Sequence, residues 1–297
     1  MASPQFEAFL QASLAQRTDA PPDIAELRAA GDALAQILQP PEGTEVSPTD
    51  AAGVPAEWVS VPGVSEDRVI FHLHGGGYCI WSPRPYRNFN GRLSRATDAR
   101  VLAVDYRLAP EHPHPAAVDD AVTAYRWLLD GGTAPESIAI TGDSAGGGLT
   151  VATLVALREA GLPLPACAVP VSPWVDMELS GEVSDAAREV DVLSLDHLKV
   201  FADAYLAGTD ARAPLANPLH ADLDGLPPML VLVGEREVLL DDAKRLIARA
   251  KDAGADATLH VAPEMTHIWQ MFGGMFPEAE EAVERIASFV NAKLSER

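Results

Sequence analysis

The segment Gly142-Asp143-Ser144-Ala145-Gly146-Gly147-Gly148 sets a serine between glycines in the pattern G-x-S-x-G. An apolar run at 138–141 precedes it and a helical pattern follows. In a strand–turn–helix of this kind the serine projects from a sharp turn, and the glycines relieve the crowding around it. The start of the helix then presents backbone N–H groups to a developing negative charge. Such a serine could attack a carbonyl carbon; the bland alternative is a glycine-rich turn with a capping serine. A second run, His74-Gly75-Gly76-Gly77, directly follows the apolar stretch 69–73. Three consecutive glycines leave backbone N–H groups open to a substrate oxygen, as an oxyanion intermediate requires. A phosphate loop is the rival reading, but the chain lacks G-x-x-x-x-G-K-[ST].

A serine nucleophile needs a base, and after an elbow of this type the order along the chain is serine, acid, histidine. The histidines beyond Ser144 are His197, His220, His260 and His267. His197 falls in a helical pattern, His220 in a loop and His260 inside the last strand pattern, and each reads as structural or solvated. His267 comes just after that strand, where a loop can carry it to the serine, and is the expected base. The acid should follow the strand at 229–233, where Glu235, Glu237, Asp241 and Asp242 stand. Acidic residues also favour helix starts, so the pattern alone does not choose between Glu237 and Asp241.

These residues need a scaffold. Brief, nearly continuous apolar runs occur at 69–73, 101–104, 137–141, 166–171, 229–233 and 257–261, as strands buried on both faces should. Between them lie helical patterns, one with Val118, Val122, Tyr125 and Leu129 on a face, one following Ser144, and one from about Asp241 to Gly254. Strands alternating with helices predict an α/β fold with a mainly parallel sheet and helices on both faces. Residues 1–40 read as helical up to the Pro40-Pro41 break. The alternation pauses between 180 and 217, where Ser194 could cap a helix carrying Leu198, Phe201, Tyr205 and Leu206. A helical insertion late in such a sheet is a candidate lid over the carboxyl ends of the strands. Trp81, Tyr86, Trp174, Phe201, Tyr205 and Trp269 lie near these motifs and read either as pocket lining or as core.

Composition narrows the function classes. With 297 residues and 47% hydrophobic content the chain can bury a large core. A net charge of −21 argues against nucleic acid and against anionic membranes as partners. No basic n-region with an apolar core opens the chain and no apolar run is long enough to span a bilayer, so a cytoplasmic protein without membrane attachment is expected. Cys79 and Cys167 sit in apolar stretches without metal-ligand spacing, and read as small buried hydrophobes. No metal and no organic cofactor is expected.

The chain resembles the hormone-sensitive-lipase-like family of bacterial esterases within the α/β-hydrolases. The resemblance rests on His74–Gly77, on Asp105-Tyr106-Arg107-Leu108-Ala109-Pro110-Glu111, on Gly142–Gly147 and on Ser172-Pro173-Trp174-Val175-Asp176. It implies an α/β-hydrolase fold with a helical cap, Ser144 as nucleophile and His267 as base. It also implies an oxyanion hole from the N–H groups of Gly76, Gly77 and Ala145, with His74, Gly75 and Asp143 as supporting motif residues. The family's acid is usually aspartate followed by Pro-Leu. Matching the segment 232–242 puts Glu237, followed by Val238-Leu239, at that place, with Asp241 as rival. The expected organisation is cap helices at 1–45, core at 46–179, cap insertion at 180–217 and core again at 218–297. The expected substrate is a small-molecule ester with a short acyl chain, and a homodimer is a candidate assembly. An amidase or lactonase would use the same groups, and a ligand receptor on a dead scaffold should have lost one of them.

Overall fold

A strand buried on both faces must be apolar at successive positions, and it needs a helix on each side to cover it. The segments bear this out in a computed structural model that describes residues 2–16 and 22–295. Two helices, α1 (Pro4–Leu14) and α2 (Ile24–Ile37), precede a hairpin of β1 (Glu45–Ala51) and β2 (Val54–Ser60). Next come β3 (Ser65–Leu73), α3 (Arg87–Thr97), β4 (Ala99–Val104), α4 (Ala116–Asp130), β5 (Ile138–Asp143), α5 (Ala145–Glu159) and β6 (Cys167–Val171). After two helices, α6 (Asp185–Val190) and α7 (Leu195–Leu206), the alternation resumes with β7 (Met229–Gly234), α8 (Leu240–Asp252), β8 (Ala257–Ala262) and α9 (Pro277–Ser295).

The eight strands form one sheet in the order β1-β2-β4-β3-β5-β6-β7-β8. The β1–β2 and β2–β4 pairs are antiparallel, and every pair from β4 to β8 is parallel. Successive side chains of β3 supply opposite faces. Val69, Phe71 and Leu73 join a core with α4, α5 and α8, whereas Ile70 joins one with α1, α3 and α9. The chain runs from β3 out to β4 and then returns to β5 on the other side of β3. The carboxyl ends of β3 and β5 therefore flank a topological switch point, the place where open α/β sheets hold their ligands. The two glycine motifs leave the sheet there.

Six strands lie where the apolar runs predict them; β1 and β2 do not announce themselves. The edge strand β1 is mostly exposed and contains Pro48, so it lacks the continuous apolar run of a central strand. Its two-residue turn, Ala52-Gly53, has φ of 59° and 91°, the left-handed pair that suits a tight hairpin. Residues 1–40 hold two helices rather than one pattern. Ser3 and Asp23 cap them through Phe6 N and Glu26 N. Helix α1 packs on α9, and Phe6 meets Phe276, just before α9, edge to face at 5.2 Å, while α2 packs on residues 84–86 beyond the glycine loop. Among the described residues, no helix is long and apolar enough to cross a membrane.

The approach of α5 to β3 sets the site's tolerance. A methyl group on Gly146 would run into the Leu73 and His74 carbonyl oxygens, which are backbone and cannot swing away. Gly146→Ala is therefore expected to destabilise the fold by at least about 1–3 kcal/mol. Thermal unfolding should show a fall of several degrees in Tm. An unchanged Tm would mean that this contact is not close in solution.

Candidate active site

Ser144 follows β5 directly and stands before α5 with φ 55° and ψ −122°, a conformation rare for a residue with a side chain. Two backbone hydrogen bonds hold it. Its N–H donates to Val171 O at 2.9 Å, and its carbonyl accepts from Trp174 N at 2.9 Å. The glycines around it are needed, since a Cβ at Gly142 would meet the Gly146 backbone and one at Gly148 the Trp174 carbonyl. The side chain is thereby aimed away from the sheet, and Ser144 Oγ lies 2.9 Å from His267 Nε2. His267 sits in the loop after β8, as its place in the sequence predicts.

Four acidic residues follow β7, and they go to different places. Glu237 is buried and turns back toward the sheet, its Oε2 accepting from Ser172 Oγ at 2.8 Å and Gly234 N at 3.0 Å. Its other oxygen is 3.9 Å from His267 Nδ1, within ion-pair reach though too far for a hydrogen bond. Asp241 lies in the first turn of α8, accepts from Glu182 N at 3.3 Å and faces Arg245 at 3.8 Å. Asp242 accepts from Val175 N and Asp176 N, both at 3.0 Å, and burial pushes its carboxyl up to about 8. Glu235 accepts from Glu264 N at 3.0 Å. Of the four, Glu237 alone approaches the His267 ring.

The glycine loop after β3 is braced from below. Tyr86 Oη accepts from Gly75 N at 2.9 Å and donates to Asp143 Oδ2 at 2.8 Å, tying the loop to the residue before Ser144. His74 stacks on Tyr106 with ring centres 4.2 Å apart, and Tyr106 Oη donates to His74 O at 2.7 Å. Burial pushes the His74 imidazole down to about 4, which keeps it neutral. The motif Asp105–Glu111 supports the same loop from the side, through Ala109 N to Tyr78 O at 2.9 Å. From α2, Arg28 donates to Cys79 O and Ala109 O and pairs with Glu111. Gly76 and Gly77 have φ of 106° and 60°, which glycine adopts without strain.

Gly76, Gly77, Ser144 and His267 open into one pocket of about 220 Å³. Leu27 of α2, Leu198 and Phe201 of α7, and Val192 and Leu193 between α6 and α7 complete its wall, with Trp81, Trp174 and Ile268. Ala145, fully buried at the start of α5, is not in the wall. Of the aromatic candidates, Trp81, Trp174 and Phe201 line the pocket. Tyr86 braces the glycine loop, Tyr205 stacks on Tyr78 at 3.8 Å, and Trp269 packs elsewhere and donates to Glu278 O. His197 also lines the pocket, a place its helical spacing did not suggest. Cys79 and Cys167 are buried thiols, as their apolar neighbours indicate.

Asp191, which no sequence motif marks, is fully buried beside His267 and accepts from its backbone N at 3.2 Å. The one local hint is an acid set between Val190 and Val192-Leu193. Ser172 was read as part of a motif, without its role as hydrogen-bond donor to Glu237. Burial by itself would lower the His267 pKa, but Glu237, Asp191 and Asp143 outweigh it, and the net shift is upward from 6.5. An NMR titration of the His267 imidazole should therefore give a midpoint above 6.5. Glu237→Gln should lower that midpoint and Asp241→Asn should leave it in place. A wild-type midpoint below the ordinary histidine value, or a shift only in Asp241→Asn, would contradict this electrostatic picture.

Comparison with known proteins shows which family the chain belongs to. A family model described as the alpha/beta hydrolase fold matches residues 70–271. An acetyl-hydrolase of Streptomyces hygroscopicus is 47% identical over 81% of this chain and 81% of its own length. An esterase of Acinetobacter venetianus is 34% identical over 96% of this chain and 95% of its own. The crystal structure of an esterase from the bacterial hormone-sensitive lipase family superposes with a TM-score of 0.95 at 44% identity, covering 99% of this chain and 100% of that one. The chain belongs to the α/β-hydrolase fold family, among the bacterial hormone-sensitive-lipase esterases, and is a hydrolase.

Proposed function

We propose that the protein hydrolyses short-chain carboxylic esters through an acyl-enzyme on Ser144. The observation that carries this reading is the 2.9 Å contact between Ser144 Oγ and His267 Nε2 at the floor of an apolar pocket. His267 Nε2 takes the hydroxyl proton as Ser144 Oγ attacks the ester carbonyl. The N–H groups of Gly76, Gly77 and Ala145 stabilise the oxyanion, at the loop after β3 and the N-terminus of α5. His267 then protonates the leaving alcohol, and water, deprotonated in turn by His267, releases the acid. Glu237, with Oε1 3.9 Å from His267 Nδ1, orients the imidazole and stabilises its charged form. In this reading the segment 1–45 and the 180–217 insertion form the cap, with α2 and α7 reaching the pocket, and 46–179 and 218–297 form the core.

Pocket size supports the short acyl chain. About 220 Å³ is below the roughly 300–1,000 Å³ of sites for drug-sized ligands. Phe201 narrows it further, since its ring lies against Gly77 where even a methyl would not fit. Ser144→Ala is expected to lower kcat by about 10⁶, the scale for losing a triad nucleophile. Across p-nitrophenyl esters from acetate to palmitate, kcat/KM should peak at the short end, and matched amides and lactones should be turned over more slowly. A maximum at palmitate, or a Ser144→Ala variant that stays active, would overturn the proposal.

A further inference from the structure

One buried carboxylate outside the proposed triad touches both loops that carry its acid and its base. Asp191 ends helix α6, in the insertion between β6 and β7. Its Oδ2 accepts from Val238 N at 2.7 Å, the peptide next to Glu237. Its Oδ1 accepts from His267 N at 3.2 Å. The side chain is 0% exposed, and the next two residues, Val192 and Leu193, form part of the pocket wall. Val192 is 44% exposed and lines the pocket next to Asp191 in the chain. These contacts join segments far apart in sequence, and nothing in the hydrolytic steps above requires them.

We propose that Asp191 is a positioning residue that locks the cap insertion to the Glu237 and His267 loops, so that a seated pocket wall and an aligned histidine come together. The inference rests on the triad reading of Ser144, Glu237 and His267. Asp191 touches no substrate. It fixes two backbone N–H groups, and its negative charge favours the imidazolium that forms when Ser144 gives up its proton. The charged groups facing His267 are Glu237 from the loop after β7, Asp191 from the insertion and Asp143 from the end of β5. Burial and the neighbouring Glu237 raise the Asp191 carboxyl, while His267 and the two N–H donors favour its charged form.

The test is Asp191→Asn, with Asp191→Ser beside it and the exposed Asp196→Asn as a charge control on α7. Active sites are counted by stoichiometric phosphonate inhibition, so that unfolded protein does not enter the rate. An asparagine can match one of the two N–H donors and must point its amide at the other. Per active site, kcat on a short-chain ester is expected to fall about 10- to 100-fold, as for one unmatched buried donor. KM should stay within about threefold, because no substrate contact is lost. The acid limb of kcat/KM should move to lower pH by about half a unit or more in both Asp191 variants, since a negative charge beside the base is gone. Asp196→Asn should move none of these. A wild-type kcat in Asp191→Asn, or a lowered kcat with an unmoved acid limb, would overturn the proposal and leave Asp191 as simple support. An active Ser144→Ala would instead sink the triad reading, and the two failures are distinguishable.

Discussion

The backbone of Ser144 can be held at φ 55° only because α5 is packed against the carboxyl end of β3 with no side chains between them. Gly142 and Gly146 let backbone meet backbone there, and Gly147 and Gly148 do the same against the loop after β6. A left-handed residue with a side chain costs roughly 1–3 kcal/mol, so the surroundings must hold it there. They do so by two hydrogen bonds, Ser144 N–H donating to Val171 O and Ser144 O accepting from Trp174 N. The same packing sets the N-terminus of α5 beside the glycine loop that leaves β3. Ser144, the proposed nucleophile, and the candidate oxyanion donors are thus fixed by one backbone contact, at the point where the sheet's strand order reverses.

Electrostatics supplies the second layer. Three carboxylates, Asp143, Glu237 and Asp191, are buried around a single imidazole. A buried charge is costly unless hydrogen bonds replace its water. Each of the three has such partners: Tyr86 Oη for Asp143, Ser172 Oγ and Gly234 N for Glu237, and Val238 N and His267 N for Asp191. Burial pushes Asp143 up to about 7 and Asp191 up to about 6. The net field still raises His267 above an ordinary histidine, which suits its proposed role as a base that holds a proton in mid-reaction.

What could be read from the sequence was local. The glycine motifs and the core strands are contiguous patterns, and His267 is marked by its place just after the last strand. Chain order alone did not separate Glu237 from Asp241, because both follow β7 and both residue types suit a helix start. Three-dimensional direction separates them: Glu237 precedes α8 and turns back to the strand end, while Asp241 is already in the helix and faces Glu182 and Arg245. The β1–β2 hairpin was hidden by its exposure at the sheet edge, and α3 and α9 were not separately read. Asp191 was out of reach for a different reason. Its partners lie 47 and 76 residues away, and no local pattern encodes a contact at that separation.

In the proposed function the elbow and His267 together make Ser144 the reactive group. Labelling the protein with an organophosphonate and mapping the adduct by peptide mass spectrometry tests it most directly. The account predicts one adduct per chain, on the peptide containing Ser144, and its loss in His267→Ala. A stoichiometric adduct on another serine, with Ser144 unmodified, would contradict it.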